Sequence, residues 1–492
     1  MKTGRVCASV TANTASDTVA SISKAEKTAD IIEIRFDHLP EHEVTQLLDH
    51  LRVYGYKKPF IATYRSSEQG GLAPSDSTTR RQFWERLCNG FWAVDQEEDI
   101  FDRTVQTQNH ILSYHDFDAG RADVMQVFER LRSKKPTIVK YAYLADDITD
   151  TIPVWRMLKG AADASQQAVV IAMGEAGKIT RILGCAYGSK WTYGSVDEAT
   201  APGQISVEDL IDLYRVHALS NNTKVYGVIG DPVSHSLSPK IHNAAFKDAA
   251  LDSVFLPLLV KDLHGFIERM VRPSSREVEL NFAGFAVTMP HKLIIMDQLD
   301  EIDDTAMAIG AVNTVKIDGD LLRGYNTDAD GFIRPLLEKL GSIKGLMVAV
   351  LGAGGAARAC LYALKAHGAS ATIIARDADR GSKLAGEFGA EFFTMKGGSI
   401  ESFEVLVNAT PVGMAGNEGS PMPFDLASSD RIKVVYDLVT STKPTPLIRA
   451  ALKAGIQTIT GVEMLVAQAA RQFEIWTGQS APVNVMENAA LK

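Results

Sequence analysis

An α/β chain is predicted, with an N-terminal (β/α)8 barrel followed by a second α/β unit built around a nucleotide-binding glycine turn. Three observations carry this prediction. Short β-branched runs alternate with helical stretches between residues 5 and 195. A polar, turn-forming stretch, Ser220-Asn221-Asn222-Thr223, then breaks the pattern as a linker, and from Leu346 a strand, a glycine turn, a helix and a strand follow in that order.

The first-half runs are R-V-C-A-S-V from Arg5, I-I-E-I-R from Ile31, F-I-A-T-Y-R from Phe60, F-W-A-V-D-Q from Phe91, H-I-L-S-Y-H from His110, T-I-V-K-Y-A from Thr137, A-V-V-I-A-M from Ala168 and W-T-Y-G from Trp191. Eight strands alternating with helices in about 215 residues point to a closed barrel with its active site at the C-terminal ends of the strands. Before motifs are weighed, the alternative is two smaller open α/β units. A helix is expected from Ile205 to His217, ahead of the linker, and a new α/β unit starts at Val225.

Length and composition bound the function. With 492 residues, 46% hydrophobic and 23% charged, the chain has material for about three domains. A net charge of −9 and a pI near 5.7 argue against general affinity for nucleic acid or anionic membrane and point to small-molecule, anionic substrates. The cysteines, at 7, 88, 185 and 360, form no C-x-x-C pair and have no histidines at zinc-like spacing, so neither a disulfide framework nor a metal site is expected. The opening apolar stretch is too short for a signal or membrane segment, and a cytoplasmic protein is expected.

Apolar side chains fill a barrel, so charges at strand ends require another reason. Glu33 and Arg35 alternate with apolar neighbours, Arg65, His115 and Lys140 end their strands, and Arg181 follows the seventh. Singly, each reads as a solvated rim residue or half of a surface ion pair. Together on one rim they mark a site. T-I-V-K-Y-A sets the Lys140 amine among apolar residues, an environment expected to favour the neutral nucleophile that imine formation needs. A ketone bound there as an iminium would acidify its neighbouring carbon, and His115 could take that proton and protonate a departing hydroxyl, giving a β-elimination without metal.

E-I-R-F-D at 33–37, T-Y-R at 63–65 with Gly70-Gly71, S-Y-H-D-F at 113–117, I-V-K at 138–140, Met173, Arg181 and A-P-G-Q at 201–204 resemble type I 3-dehydroquinate dehydratase across residues 1–219. The resemblance implies Lys140 as the Schiff-base lysine and His115 as acid/base, with Glu33, Arg35, Arg65, Arg181, Thr200 and Gln204 holding substrate. It departs from the family pattern at Gln69, where the family has a glutamate and Glu68 is a candidate replacement, and at Thr200, where it has a serine.

In the second half, Gly352-Ala353-Gly354-Gly355-Ala356 permits a tight turn and close approach to a pyrophosphate, with small Ala357 at the third fingerprint position. The next strand ends at Arg376-Asp377, so Arg376 and Arg380 offer cations to a 2′-phosphate and favour NADP, with Asp377 the discordant residue. Ser236 and Ser238 read by themselves as turn and cap serines. With T-M-P-H-K at 288–292, G-A-V-N-T at 310–314, N-T-D-A-D-G at 326–331, N-A-T-P-V-G-M at 408–414 and G-V-E-M-L-V-A-Q-A at 461–469, they resemble shikimate dehydrogenase. This implies Lys292 and Asp328 as the catalytic pair, Ser236, Ser238, Thr288, Asn313 and Gln468 as substrate ligands, and Asn408, Thr410 and Gly461 at the cofactor. It also implies a substrate lobe of 224–326 completed by 461–492 and a Rossmann lobe of 327–460. Thr440 stands where the family has a tyrosine. The two resemblances together imply consecutive steps of aromatic amino acid biosynthesis, 3-dehydroquinate to 3-dehydroshikimate to shikimate. The alternatives are an NAD-using catabolic quinate or shikimate dehydrogenase and a ligand sensor on the same fold, the latter expected to lack the catalytic side chains.

Overall fold

The computed structural model describes residues 4–87, 90–118, 123–197, 201–395, 401–414, 426, 430–441 and 443–491. The chain divides into two compact units, one of residues 1–225, 230–234 and 256–282, the other of 226–229, 235–255 and 283–492.

The first unit holds strands β1 (Val6–Val10), β2 (Ile31–Arg35), β3 (Phe60–Thr63), β4 (Ala93–Glu97), β5 (Asn109–Asp116), β6 (Ile138–Leu144), β7 (Gln167–Met173), β8 (Thr192–Ser195) and the two-residue β9 (Ile205–Ser206). They pair in the order β7-β6-β5-β4-β3-β2-β1-β8-β9, each neighbouring pair parallel. The Lys190 backbone N–H donates to Ala168 of β7 at 2.8 Å, bridging the approach to β8 back to β7. Inside, Cys7, Ile31, Ile61, Ala93, Ile111, Ile138, Val169 and Trp191 pack together, a plug of apolar side chains drawn from all around the ring. His115 is the penultimate residue of β5 and Arg65 follows β3, whereas Lys140, expected to end its strand, is corrected to the third residue of the seven-residue β6.

The helix expected from Ile205 to His217 is corrected. Ile205 and Ser206 pair with Gly194 and Ser195, because β8 has an open edge there and Ile205 can be buried only against it. Only a single wide turn, Asp209–Leu213, and a short 3-10 turn, Val216–Ala218, follow.

A second sheet comprises β10 (Lys224–Gly230), β11 (Ser253–Leu259), β12 (Phe282–Val287), β13 (Glu301–Ile302), β14 (Thr314–Asp318) and β15 (Leu321–Tyr325), in the order β11-β10-β12-β14-β15-β13. The third comprises β16 (Met347–Leu351), β17 (Ser370–Ala375), β18 (Glu391–Thr394), β19 (Val405–Asn408), β20 (Val434–Asp437) and β21 (Gln457–Ile459). Its parallel order, β18-β17-β16-β19-β20-β21, is the doubly wound 3-2-1-4-5-6 arrangement, with the switch point between β16 and β19. After β21 the helix Gly461–Thr477 leaves this sheet and packs on the second: the Trp476 indole N–H donates to Val315 of β14 at 2.9 Å.

Candidate active sites

The barrel's strand ends converge on one pocket lined by Glu33, Arg35, Arg65, His115, Lys140, Arg181 and Gln204, with Gln69, Phe117 and Met173 beside them. Thr200 lies outside the described residues. Lys140 is buried, and its Nζ donates to Glu33 Oε1 at 3.0 Å and Asp95 Oδ2 at 2.8 Å, with the face of Tyr193 4.2 Å away. The expected apolar setting of this amine is thereby corrected. Its apolar neighbours are neighbours along β6, whereas the groups facing Nζ come from β2 and β4 across the barrel. Burial pushes both carboxyls up, but Lys140 and Arg35 together more than offset it at Glu33, and Arg65 and Lys140 hold Asp95 well below the usual carboxylate range.

The arginines divide by partner. Arg35 grips Asp37 through Nε and Nη2, both at 2.8 Å. Arg65 pairs with Asp95 at 2.9 Å and Glu97 at 3.4 Å and donates to Ser113 Oγ at 2.6 Å. Arg181 has no acidic partner among the described residues; Nη2 reaches only the Pro202 carbonyl at 3.3 Å, Nε has no partner, and burial pulls the guanidinium down to about 10. A buried cation on a pocket wall, with no acidic partner of its own among the described residues, is suited to receive an anion.

Burial, then the charges of Arg65 and Lys140, push the His115 imidazole well below its ordinary value, and its Nδ1 has no hydrogen-bond partner. Gln69 accepts the His115 backbone N–H at 2.9 Å, while Glu68 is exposed and absent from the pocket lining, so Glu68 does not replace the missing carboxylate. Asp95 and Glu97 escaped the sequence reading. They alternate on β4 just as Glu33 and Arg35 do on β2, a signal overlooked at the end of the F-W-A-V-D-Q run.

In the second unit, Lys292 Nζ meets Asp328 Oδ2 at 2.5 Å, and Asp328 Oδ1 accepts Asn313 Nδ2 at 2.8 Å. Backbone bonds bring their loops together: Val312 N–H to Lys292 O at 2.8 Å, Val287 N–H to Asn313 O at 2.7 Å and Thr288 N–H to Ile229 O at 3.0 Å. Ser238 opens the helix Ser238–Asp248, with its N–H donating to Ser236 Oγ at 3.2 Å. A Cβ on Gly331, one turn past Asp328, would lie 2.7 Å from that of Gln468, so this glycine lets the two helices approach and sets Gln468 beside the Asp328 helix. Gln472 and His242 went unnoticed in the sequence. Gln472 Nε2 donates to Thr314 Oγ1 at 3.0 Å and its Oε1 meets His242 Nε2 at 3.2 Å, bracing the Asn313 loop from behind.

The glycine turn fits a dinucleotide. Gly352 has φ +106° and an added Cβ would approach Ala409 O and Thr410 Cγ2 at 3.0 Å, whereas Cβ atoms on Gly354 or Gly355 would meet nothing within 4 Å. The helix Gly355–Ala366 thus starts with no side-chain cap and open space before its N–H groups, beside Ala353 and Ala356. Arg376 and Arg380 are exposed past the end of β17, and the Asp377 carboxylate caps the helix Ala378–Phe388 by accepting the Arg380 N–H at 3.0 Å. That use accounts for the discordant acid. Asn408 is buried with its amide committed to Asp437 Oδ1, Val412 O and Thr410, so it shapes the loop after β19; Gly461 abuts the Val439 backbone.

Residues 6–221 match the family model for type I 3-dehydroquinase, 228–315 that for the shikimate dehydrogenase substrate binding domain, and 461–491 that for the shikimate 5′-dehydrogenase C-terminal domain. Over 519 aligned positions the chain is 35% identical to the chloroplastic bifunctional 3-dehydroquinate dehydratase/shikimate dehydrogenase of Arabidopsis thaliana, covering 97% of this chain and 82% of that protein. It is 42% identical over 285 positions to the NADP(+) shikimate dehydrogenase of Methanopyrus kandleri, covering 55% of this chain and 96% of the relative. A crystal structure of shikimate dehydrogenase in complex with NADP+ aligns with TM-score 0.51 and 37% identity over 56% of this chain and 96% of that one.

Proposed function

Because the chain belongs to the family of bifunctional 3-dehydroquinate dehydratase/shikimate dehydrogenases, we propose that it dehydrates 3-dehydroquinate at the barrel pocket and reduces the resulting 3-dehydroshikimate with NADPH at the Lys292–Asp328 site. The observation that carries the first half is Arg181, a buried cation in want of an anion, across a pocket that also holds a buried lysine and an unpartnered imidazole. The substrate carboxylate goes to Arg181, and Gln204, Glu33 and Arg35 meet its hydroxyls. The Lys140 amine adds to the ketone and expels water, leaving an iminium. His115 takes the proton on the adjacent carbon, whose electron pair moves toward nitrogen, and then delivers that proton to the departing hydroxyl. Hydrolysis of the imine releases product and restores the amine.

At the second site the turn from Gly352 to Ala356 would hold NADPH, with Arg376 and Arg380 toward its 2′-phosphate, and the cofactor would supply a hydride. Lys292 donates the proton that turns the carbonyl oxygen into a hydroxyl, and Asp328, fixed by Asn313, orients it. Ser236, Ser238, Thr288 and Gln468 hold the substrate. The work is divided among residues 1–219, the substrate lobe of 224–326 with 461–492, and the cofactor lobe of 327–460; the three sheets and the Trp476 contact support that division. A cytoplasmic location belongs to the same reading, supported by free Cys7, Cys185 and Cys360. Among the described residues no helix is long and apolar enough to cross a membrane.

The test separates the two steps. Lys140→Ala should abolish dehydration while reduction of added 3-dehydroshikimate persists, and Lys292→Ala should lower reduction by about 10²- to 10⁴-fold while dehydration persists. Loss of both activities from either folded variant would sink the two-site reading.

A further inference from the structure

Lys140 meets two carboxylates, and they are placed differently. Glu33 lines the pocket, where an incoming substrate reaches it, and it accepts the Ser9 and Thr63 hydroxyls at 2.8 and 3.0 Å. Asp95 is 1% exposed and absent from the pocket lining. Its Oδ1 is braced by Arg65 at 2.9 Å and by the Ser113 hydroxyl, which leaves Oδ2 aimed at Nζ at 2.8 Å. An ammonium has three N–H donors and can serve both carboxylates, but the iminium formed from it has one. The new carbon must attach from the pocket, the side on which Glu33 stands, so the remaining N–H stays with the carboxylate behind.

We propose that Asp95 is the counter-ion of the Schiff base, the carboxylate that keeps the imine nitrogen on Lys140 protonated and therefore able to draw electrons through elimination. The inference rests on the imine chemistry proposed above. An unprotonated imine has no charge to receive the pair left on carbon when His115 removes the proton. A fixed carboxylate within hydrogen-bond reach favours the protonated form by about 1–3 pH units, more than a solvated one would. The other groups facing this nitrogen are Glu33 from β2, Arg65 after β3, His115 on β5, Tyr193 on β8 and Cys7 on β1. Arg65 and His115 cannot compensate a cation; the Tyr193 face lends only a weak cation–π contribution. Glu33 alone could substitute, and it lines the pocket on the side from which the substrate carbon must attach.

Asp95→Asn keeps the shape and removes the charge. Its kcat for dehydration should lose its alkaline limb about 1–3 pH units earlier than the wild type, with partial recovery at lower pH, unchanged KM and unchanged reduction of added 3-dehydroshikimate. Borohydride trapping at Lys140, read by mass spectrometry, should decline with pH in parallel, because the reagent captures the protonated imine. A pH profile that keeps its shape, whether kcat falls uniformly or not at all, overturns the proposal. If Asp95→Asn fails to fold, Ser113→Ala, which removes one brace and leaves the charge, should move the same limb by a smaller amount, and an unmoved limb there also overturns it. Absence of any adduct at Lys140 in the wild type would instead remove the imine itself, and with it the dehydration mechanism.

Discussion

Replacing Arg181 with methionine should make the ligand-free barrel more stable and the enzyme worse. Burial lowers the guanidinium from its ordinary value to about 10, with no compensating acid among the described residues. At about 1.4 kcal/mol per unit this is on the order of 3 kcal/mol of unfavourable burial. A base whose folded-state value is depressed carries that cost in full at every pH below the folded value and sheds it only as pH rises toward the unfolded one. The cost is therefore complete near neutrality. Methionine removes it while filling much of the same volume, against a packing mismatch of about 1 kcal/mol, so a net gain of about 1–2 kcal/mol is expected. The same change leaves a substrate carboxylate facing no cation, which costs about 2–5 kcal/mol and raises KM for 3-dehydroquinate by about 30-fold or more. Equilibrium urea unfolding followed by tryptophan fluorescence suits the comparison, because Trp84, Trp92, Trp155 and Trp191 lie in the barrel and only Trp476 lies outside it. Added 3-dehydroshikimate should stabilise the barrel of the wild type and not that of the variant, read from the barrel tryptophans, while its binding at the second site is common to both. A variant that is less stable without ligand and unchanged in KM would show that Arg181 serves the fold, and the anion-receptor argument would fail.

Two further outcomes are expected. Arg376→Ala should weaken NADPH about 10- to 100-fold, the worth of a charge-assisted contact, and leave NADH nearly untouched; equal losses for both cofactors would refute the 2′-phosphate assignment. The depressed His115 value places the acid limb of dehydration below the ordinary histidine range, because the base must be neutral to accept a proton. Gln69→Glu should carry that limb to higher pH by setting a carboxylate beside the imidazole, and an unmoved limb would mean that position 69 acts on the His115 backbone alone.

The period-2 and helical patterns made both α/β architectures legible, since strands buried on both faces must be apolar and Gly352 must turn where no side chain is tolerated. Lys140 and His115 were legible for a related reason, because a charge in or after an apolar run has no packing role to explain it, whereas Lys292 and Asp328 were legible only through the motifs that resemble shikimate dehydrogenase. The helix expected at 205–217 failed because the open edge of β8 outcompeted local propensity for Ile205. Electrostatic partnership was beyond the reach of one-dimensional pattern. Lys140 reads as an amine among apolar residues along β6, yet it faces Glu33 and Asp95 from strands far away in sequence. Arg35, Arg65 and Arg181 look equivalent as letters, but tertiary packing gives acids to two of them and, among the described residues, none to the third. Asp377 reads as an acid at the ribose and is spent as a helix cap. Sequence by itself determined which chemical groups this protein owns and on which elements they ride; only the folded barrel and sheets decided which charges are neutralised, because a Coulomb interaction depends on distance in space and is blind to distance along the chain.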